Sequence, residues 1–283
     1  MSAFSSSAYV DSRRIGDATV TVICAGAFAW APEIQAPEAE WRRAMPEANA
    51  AGELLIDVNV VHIAIGDASV LVDLGFEDWP DRHLELPQLR RSPGVLAGLA
   101  SIGLRPERIT HALITHAHGD HFEGATAERD GQAVARFPHA RYFIGRAEWE
   151  GNPARARPDS PQARHLGAIE RLGRLELVDG DQEIVPGIAM LHAPGESPGH
   201  AVVRLRSAGQ SFYYLGDLFH HACEVEHLGW VPKGRDPAVT RAARERLLAE
   251  AVPSRATLVF THHDFPGWGR IVASGAGHRW ERC

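Results

Sequence analysis

The stretch Thr115-His116-Ala117-His118-Gly119-Asp120-His121 places four side chains that bind metal ions within six residues. It follows an apolar run at 109–114, which predicts a short buried strand. Imidazoles and a carboxylate presented together at the end of a strand suit zinc or a similar divalent ion. A single histidine is usually a packing or surface residue, but four such side chains in this order predict a metal site.

Three later positions carry the same kinds of side chain beside predicted strands. His200 lies after two Pro-Gly turns, which hold it at a rigid bend before an apolar strand. Asp217 follows the apolar run that ends at Leu215, where a carboxylate is costly unless it is paired or bound to metal. His262 and His263 follow the last clear strand. Taken with the first four, these residues are enough to bind two metal ions.

The order of these motifs resembles that of the metallo-β-lactamase-fold hydrolases. The pattern His-x-His-x-Asp-His comes first, followed by Pro198-Gly199-His200, Gly216-Asp217 and Phe265-Pro266-Gly267. The resemblance covers residues 18–271. It is strongest for the branch that contains N-acyl-homoserine lactonases and methyl parathion hydrolase.

The resemblance implies an α/β fold, a four-layer αβ/βα sandwich of two mixed β-sheets flanked by helices. Predicted strands and helices alternate in two sets, at 18–145 and 175–272, as such a sandwich requires. We therefore expect a single metallo-β-lactamase-fold domain at 18–283. The polar, Ser-rich segment 1–17 is expected to be a flexible N-terminal arm.

The resemblance also implies which residues bind each metal ion. One ion takes His116, His118 and His200, the other takes Asp120, His121 and His262, and Asp217 bridges them. Two divalent ions are expected, with zinc first and manganese, iron or cobalt as alternatives.

The last ligand is ambiguous between two neighbouring histidines. In relatives that resemble methyl parathion hydrolase the ligand stands three residues before the Phe of Phe-Pro-Gly, which selects His262. In relatives nearer to small lactonases a His-Asp pair carries the ligand, which selects His263. The Phe-Pro-Gly match is longer, so we choose His262.

Four further residues are expected at or near the site. Asp120 is expected to steer the proton of the attacking water as well as to bind metal. His220 either contacts substrate and protonates the leaving group or is a surface or packing residue. Asp73 either hydrogen-bonds a ligand histidine or is an ordinary turn residue. Glu196 stands where the family often has a histidine, at a position that does not bind metal.

The resemblance implies a hydrolase in which a hydroxide shared by the metals opens a lactone or cleaves an ester-like bond. A phosphotriesterase resembling methyl parathion hydrolase is the alternative. A non-catalytic metal-binding module is a third hypothesis, although the complete ligand set argues against it. The expected partner is a small-molecule ester or lactone, with specificity set by loops 26–53 and 148–162.

The composition of the chain argues against several classes of protein. The net charge of −7, with Lys233 as the only lysine among 283 residues, argues against a nucleic-acid binder. No apolar stretch is long enough for a membrane helix, and no basic start followed by an apolar run indicates a signal peptide, so a cytoplasmic protein without membrane contact is expected. Three widely spaced cysteines predict no disulfide framework. Relatives often dimerise, which leaves a homodimer as an open prediction.

Overall fold

The structure is a computed structural model that describes residues 9–76, 93–275 and 277–283. Two seven-stranded sheets and a separate two-stranded hairpin account for its strands. No helix in these ranges is both long and apolar enough to cross a membrane.

The first sheet is antiparallel on one side and parallel on the other. Its strands, in spatial and chain order, are β1 (Val10–Ile15), β2 (Ala18–Trp30), β3 (Leu54–Ile65), β4 (Ala68–Val72), β5 (His111–Ile114), β8 (Arg141–Gly145) and β9 (Leu175–Val178). Strands β1 to β4 are antiparallel neighbours, whereas β4, β5, β8 and β9 run parallel. The chain between β5 and β8 contains the hairpin of β6 (Thr126–Arg129) and β7 (Gln132–Ala135).

The second sheet follows chain order throughout. Its strands are β10 (Gln182–Val185), β11 (Ile188–His192), β12 (Ala201–Ser207), β13 (Gln210–Tyr214), β14 (Thr257–Val259), β15 (Trp268–Ser274) and β16 (Gly277–Arg282). Only β13 and β14 pair in parallel, because α7 (Pro237–Ala251) crosses between them. Asp236 caps this helix by accepting hydrogen bonds from the N–H groups of Ala238 and Val239.

Apolar side chains fill three separate layers of the molecule. Between the sheets, Val20, Val61 and Val70 belong to one buried cluster with Val203 and Phe212. Helices cover the two outer faces, which gives the four-layer sandwich that the sequence predicted. The remaining helices are α1 (Glu38–Ala44), α2 (Gly94–Ser101), α3 (Gly119–Phe122), α4 (Arg146–Glu150), α5 (Pro161–Arg164) and α6 (Leu166–Arg171).

The predicted N-terminal arm is wrong for residues 10–15. These residues form β1, which pairs along its whole length with β2 from Val10↔Ile23 to Ile15↔Ala18. Ile15 is buried in the layer between the sheets, so the strand is fixed by packing as well as by hydrogen bonds. Residues 1–8 lie outside the described part of the chain.

The predicted division into two strand sets also needs correction. Residues 175–178, assigned to the second set, form β9 and pair with β8 of the first sheet. The second set was expected to end at 272, but β15 continues to Ser274 and pairs with a further strand, β16. Both differences concern short strands whose partners are chosen by tertiary packing, which a local pattern does not encode.

Candidate metal centre

The predicted metal ligands come together at one end of the sandwich, between the two sheets. After β5 the chain passes through His116 and His118 and enters α3, which carries Asp120 and His121. The second sheet contributes its residues from strand ends. His200 directly precedes β12, Asp217 follows β13 and His262 follows β14.

One group of donor atoms, named the His116 cluster, consists of His116, His118, Glu196 and Asp217. The Nε2 atom of His116 lies 2.9 Å from Nδ1 of His118 and 3.6 Å from Oδ2 of Asp217. The Nδ1 atom of His118 lies 3.1 Å from Oε1 of Glu196. Its four donors all lie within 4.8 Å of one another, which is close enough for one ion to contact them all.

The other group, named the His121 cluster, consists of Asp120, His121 and His262. The Nε2 atoms of His121 and His262 each lie 3.3 Å from Oδ2 of Asp120. Each also lies 3.3 Å from Oδ1 of Asp217. Asp217 therefore points one carboxylate oxygen at each cluster, the geometry expected of a carboxylate shared by two ions.

Two buried polar atoms at the centre of the site support a metal function. Nε2 of His121 and Oδ1 of Asp217 have no hydrogen-bond partner among the described residues. Buried polar atoms are normally satisfied, so each such atom calls for an explanation. Imidazole nitrogens and carboxylate oxygens converging at these distances fit a divalent cation.

His200 is placed differently from the other predicted ligands. Its ring is buried 5.2 Å from that of His116, measured between ring centroids. Its Nδ1 lies 2.9 Å from the carbonyl oxygen of Ala193, and its Nε2 accepts the N–H of Asp217 at 3.0 Å. Both ring nitrogens thus have protein partners, and Glu196 joins the His116 cluster instead.

The structure brings His262 rather than His263 to the carboxylates. The Nδ1 atom of His262 lies 2.9 Å from the carbonyl oxygen of Asp57, which leaves Nε2 directed at Asp120 and Asp217. The ring of His263 lies beside Phe260 and Trp280.

The pKa values of the buried histidines are shifted in two opposite directions. Burial and the neighbouring His121 hold the pKa of His116 well below its usual range, and burial also lowers the pKa of His200. Burial opposes charge on His121 too, but Asp120 and Asp217 outweigh it and raise the pKa of His121 well above its usual range. The same carboxylates overcome burial at His262 and raise its pKa to about 10. The His121 cluster is therefore a site of strong negative potential that attracts cations.

Asp73, directly after β4, contacts the His121 cluster, in agreement with the hypothesis that it hydrogen-bonds a ligand histidine. Its carboxylate accepts hydrogen bonds from the N–H and hydroxyl of Thr115 at 2.8 and 2.9 Å and from the Tyr214 hydroxyl at 2.9 Å. Its Oδ2 also lies 2.6 Å from Nδ1 of His121. Burying a carboxylate costs several kcal/mol, and hydrogen bonds to a charged group return about 1.5–3 kcal/mol each, so four of them hold it in place.

Glu148 on α4 supports the other side of the site, and sequence analysis did not single it out. This buried carboxylate accepts the N–H of Ala117 at 2.9 Å and, from the opposite loop, the hydroxyl of Ser197 at 2.5 Å and the N–H of Gly199 at 3.2 Å. A Cβ atom at Gly199 would lie 2.1 Å from the backbone nitrogen of Glu148, so only glycine permits this approach. Glu148 thereby joins the loop of His116 and His118 to the loop of Glu196 and His200.

His220 lies beside Asp217 and lines a cavity. Its Nε2 is 3.3 Å from Oδ2 of Asp217, and its ring stacks on Trp30 with a centroid separation of 4.7 Å. A cavity of about 580 Å³ opens beside it, with Phe28, Trp30 and Ile56 on one wall and Glu196 and Arg235 on another. Trp30 and Phe28 come from the end of β2, within the segment that was expected to set specificity.

The loop that carries His220 is anchored by a buried ion pair. Arg244 of α7 donates to the carbonyl oxygens of Leu218 and Trp230 at 2.8 and 2.7 Å and to the carboxylate of Glu224. Glu224 in turn accepts the N–H of His220 at 3.1 Å. The position of His220 is therefore set by α7 as well as by the metal site.

Two chain segments meet at the mouth of the cavity and form what we name the rim latch, residues 32–35 and 231–235. The N–H of Gln35 donates to the carbonyl of Val231 at 2.9 Å, and the Gln35 side chain donates to the carbonyls of Pro232 and Arg235 at 2.9 and 2.8 Å. The Lys233 ammonium lies 2.6 Å from the Glu33 carboxylate. The latch joins the segment after β2 to the segment before α7.

Known lactonases are among the proteins that this sequence matches. An N-acyl homoserine lactonase of Bacillus cereus is 27% identical over 149 residues, which is 53% of this chain and 52% of that protein. The match therefore spans about half the length of that relative. A probable metallo-hydrolase of Mycobacterium tuberculosis is 26% identical over 223 residues, covering 71% of this chain and 67% of the relative.

Solved structures share the fold over almost the whole chain. AidC, described as a dizinc quorum-quenching lactonase in complex with a product, superposes with a TM-score of 0.77 at 20% identity and covers 97% of both chains. The hydrolase AbOPH gives a TM-score of 0.77 at 22% identity over 98% of both chains. The sequence profile of the metallo-beta-lactamase superfamily matches residues 55–262, and the chain belongs to that superfamily.

Proposed function

We propose that this protein is a hydrolase with two divalent metal ions that opens a lactone or cleaves a similar ester bond. The observation that carries the proposal is the position of Asp217, whose two carboxylate oxygens face two separate groups of donors beside an open cavity. The lactonase relatives and the product complex of AidC support the substrate class.

The protein would bind the two ions through two sets of ligands that share Asp217. His116, His118 and either His200 or Glu196 would hold one ion, Asp120, His121 and His262 the other, and Asp217 both. Zinc is the first expectation, with manganese, iron or cobalt as alternatives. Two ions at this site would lower the pKa of a shared water and polarise the carbonyl that is attacked.

Four side chains act on the reacting atoms or on substrate. Asp120 has a carboxylate oxygen between the two histidines of its cluster, where it holds and orients the proton of the attacking water. His220, on the cavity side of Asp217, donates a proton to the leaving oxygen. Trp30 and Phe28 offer an apolar wall for an acyl chain, and they exclude water from that side of the cavity.

A phosphotriester is the second candidate substrate. The same water and the same proton donor serve attack at phosphorus, and the aromatic wall accepts an aryl leaving group as readily as an acyl chain. The resemblance to methyl parathion hydrolase at Phe265-Pro266-Gly267 is the observation that favours it.

The deciding experiment is steady-state hydrolysis of an N-acyl homoserine lactone series beside an aryl phosphotriester. Lactone turnover whose kcat/KM rises with acyl-chain length, and which is lost after chelation and in Asp217→Ala, is the expected result. Asp264→Ala, which removes an exposed carboxylate near the site, is the matched control and retains activity. A higher kcat/KM for the phosphotriester would select the second candidate. Absence of turnover with both, while two ions remain bound, would refute the substrate class.

A further inference from the structure

Glu196 is a buried carboxylate, and its burial calls for an explanation. Its side chain is only 2% exposed, yet it lies beside three other metal-binding groups at the base of the cavity. Its Oε1 is 3.1 Å from Nδ1 of His118, and its Oε2 is 3.7 Å from Nε2 of His220. Burying a carboxylate costs several kcal/mol unless strong partners surround it.

Arg235 supplies one such partner. Its Nε donates to Oε2 of Glu196 at 2.8 Å and its Nη2 donates to Oε1, which is the two-point contact that guanidinium groups make with carboxylates. The guanidinium stabilises the charged form of the carboxylate, whose lone pairs on the side of the His116 cluster remain available to a cation.

The alternative donor at this position is already engaged. The Nε2 lone pair of His200 accepts the backbone N–H of Asp217 at 3.0 Å, while its Nδ1 faces the carbonyl of Ala193. Binding an ion through His200 would require that backbone contact to break. Glu196 needs no such rearrangement, because its oxygen already lies within 4.8 Å of the donor atoms of His116, His118 and Asp217.

We propose that Glu196 is itself a ligand of the ion at the His116 cluster, and that Arg235 orients it. The inference rests on the proposed function, because it requires a metal ion at the His116 cluster. It goes further because the proposed function leaves the third protein ligand of this ion open between His200 and Glu196. A carboxylate added to this cluster makes its donor set harder, which favours manganese or iron relative to zinc more than an all-imidazole set would.

A simpler role for Glu196 is to neutralise Arg235, and a pair of variants separates the two roles. Glu196→Gln removes the charged oxygen donor but retains the size of the side chain. Arg235→Met removes the guanidinium but leaves the carboxylate free to bind metal. The double variant removes both, which avoids an unpaired buried charge and so protects the test against a folding defect.

The measurement is metal binding without substrate. Chelator-treated proteins are titrated with Zn²⁺ and with Mn²⁺ against a competing indicator, and bound metal is counted by elemental analysis. We expect wild type and Arg235→Met each to bind two ions, with Arg235→Met losing at most about 10–100-fold in affinity at the His116 cluster, because it removes only the residue that orients Glu196. Because loss of a residue that merely supports a ligand costs about 10–100-fold in metal affinity, loss of the ligand Glu196 should weaken one site by more than about 100-fold.

The metal ions should respond unequally, with Mn²⁺ losing more affinity than Zn²⁺ in Glu196→Gln and in the double variant. Substitution of Co²⁺ gives a second readout, since removal of an oxygen ligand shifts the visible absorption of the ion. The proposal is overturned if Glu196→Gln binds both ions as wild type does, or if Arg235→Met loses affinity to the same extent. A wild-type protein that binds no ion would refute the metal centre as well, so the two failures are distinguishable.

Discussion

The His121 cluster and the His116 cluster present similar metal-binding side chains but are enclosed to different degrees. His121, Asp120 and His262 are buried, and Asp73 holds His121 from inside the first sheet. In the His116 cluster the side chain of His118 is 44% exposed, and Glu196 and Arg235 form part of the cavity wall. All three residues of the His121 cluster are thus buried, whereas the His116 cluster has one exposed member, His118.

This difference indicates how the two halves of the site are held. The His121 cluster depends on a network of buried hydrogen bonds that reaches both sheets through Asp73 and Tyr214. The His116 cluster depends on Glu148, which joins two loops, and on the ion pair of buried Glu196 with Arg235, whose side chain is partly exposed. We therefore expect the ion at the His116 cluster to exchange with solvent faster than its neighbour.

The largest effect should come from His220, which we propose acts on substrate and not on either ion. We expect His220→Ala to lower kcat for the lactone by roughly 100-fold, the usual loss for one general acid, while both ions remain bound. His221→Ala is the matched control, because His221 contacts Glu47 outside the cluster. Loss of bound metal in His220→Ala, measured by elemental analysis, would place His220 among the ligands instead.

The next largest effect is expected for Asp73→Asn, which should weaken metal binding at the His121 cluster and not at the His116 cluster. In Asp73→Asn the amide does not replace the charged acceptor that His121 and Tyr214 share, so we expect the affinity of the His121 cluster for Zn²⁺ to fall by about 10–100-fold. The affinity of the His116 cluster should remain near wild type. Asp67→Asn changes an exposed turn on the same hairpin and should leave both affinities unchanged. Equal weakening of both sites would show that the two halves are not independently supported.

Glu148→Gln tests the support on the surface side. The variant keeps a side chain of similar size but weakens the contacts to Ala117, Ser197 and Gly199, so we expect roughly a tenfold loss of affinity at the His116 cluster. Glu150→Gln, an exposed change on the same helix, is the control. If Glu148→Gln weakened the His121 cluster instead, the division between the two supports would be wrong. Competition titrations resolve the two sites.

The smallest effect is expected for a substitution in the cavity wall, at Trp30. Trp30→Ala removes apolar contact area, and we expect KM for long-chain lactones to rise by roughly three- to tenfold while short-chain substrates change little. Trp30→Phe, which retains an aromatic face against His220, should behave nearly as wild type. A fall in kcat that is the same for all chain lengths would indicate that Trp30 orients His220 rather than the acyl group.

Much of the site was visible in the sequence because its donors lie close together along the chain or end a strand. His116, His118, Asp120 and His121 share one turn after β5. The fold followed from the order of motifs, and the superfamily match agrees with it. The two-sheet sandwich was predicted, although β1, β9 and β16 were not placed correctly.

The supporting residues were not predictable in the same way. Glu148 contacts residues 31, 49 and 51 positions away, and Arg235 contacts Glu196 across 39 positions. A lone glutamate or arginine on a short helix or loop has no local pattern that distinguishes it from a solvated residue. Only the folded loops reveal that these charges are buried together, because the energy of such contacts depends on distance in space.

The rim latch has a consequence for the timing of turnover. Its two segments bind each other through Gln35 and the carbonyl of Val231 and both line the cavity, so any widening of the cavity on this side for a long product requires these contacts to separate. Departure of a long acyl product, rather than bond cleavage, would then limit the cycle. In that case the rate should slow as solvent viscosity increases, and it should recover in a chain whose Gln35 side chain is shortened.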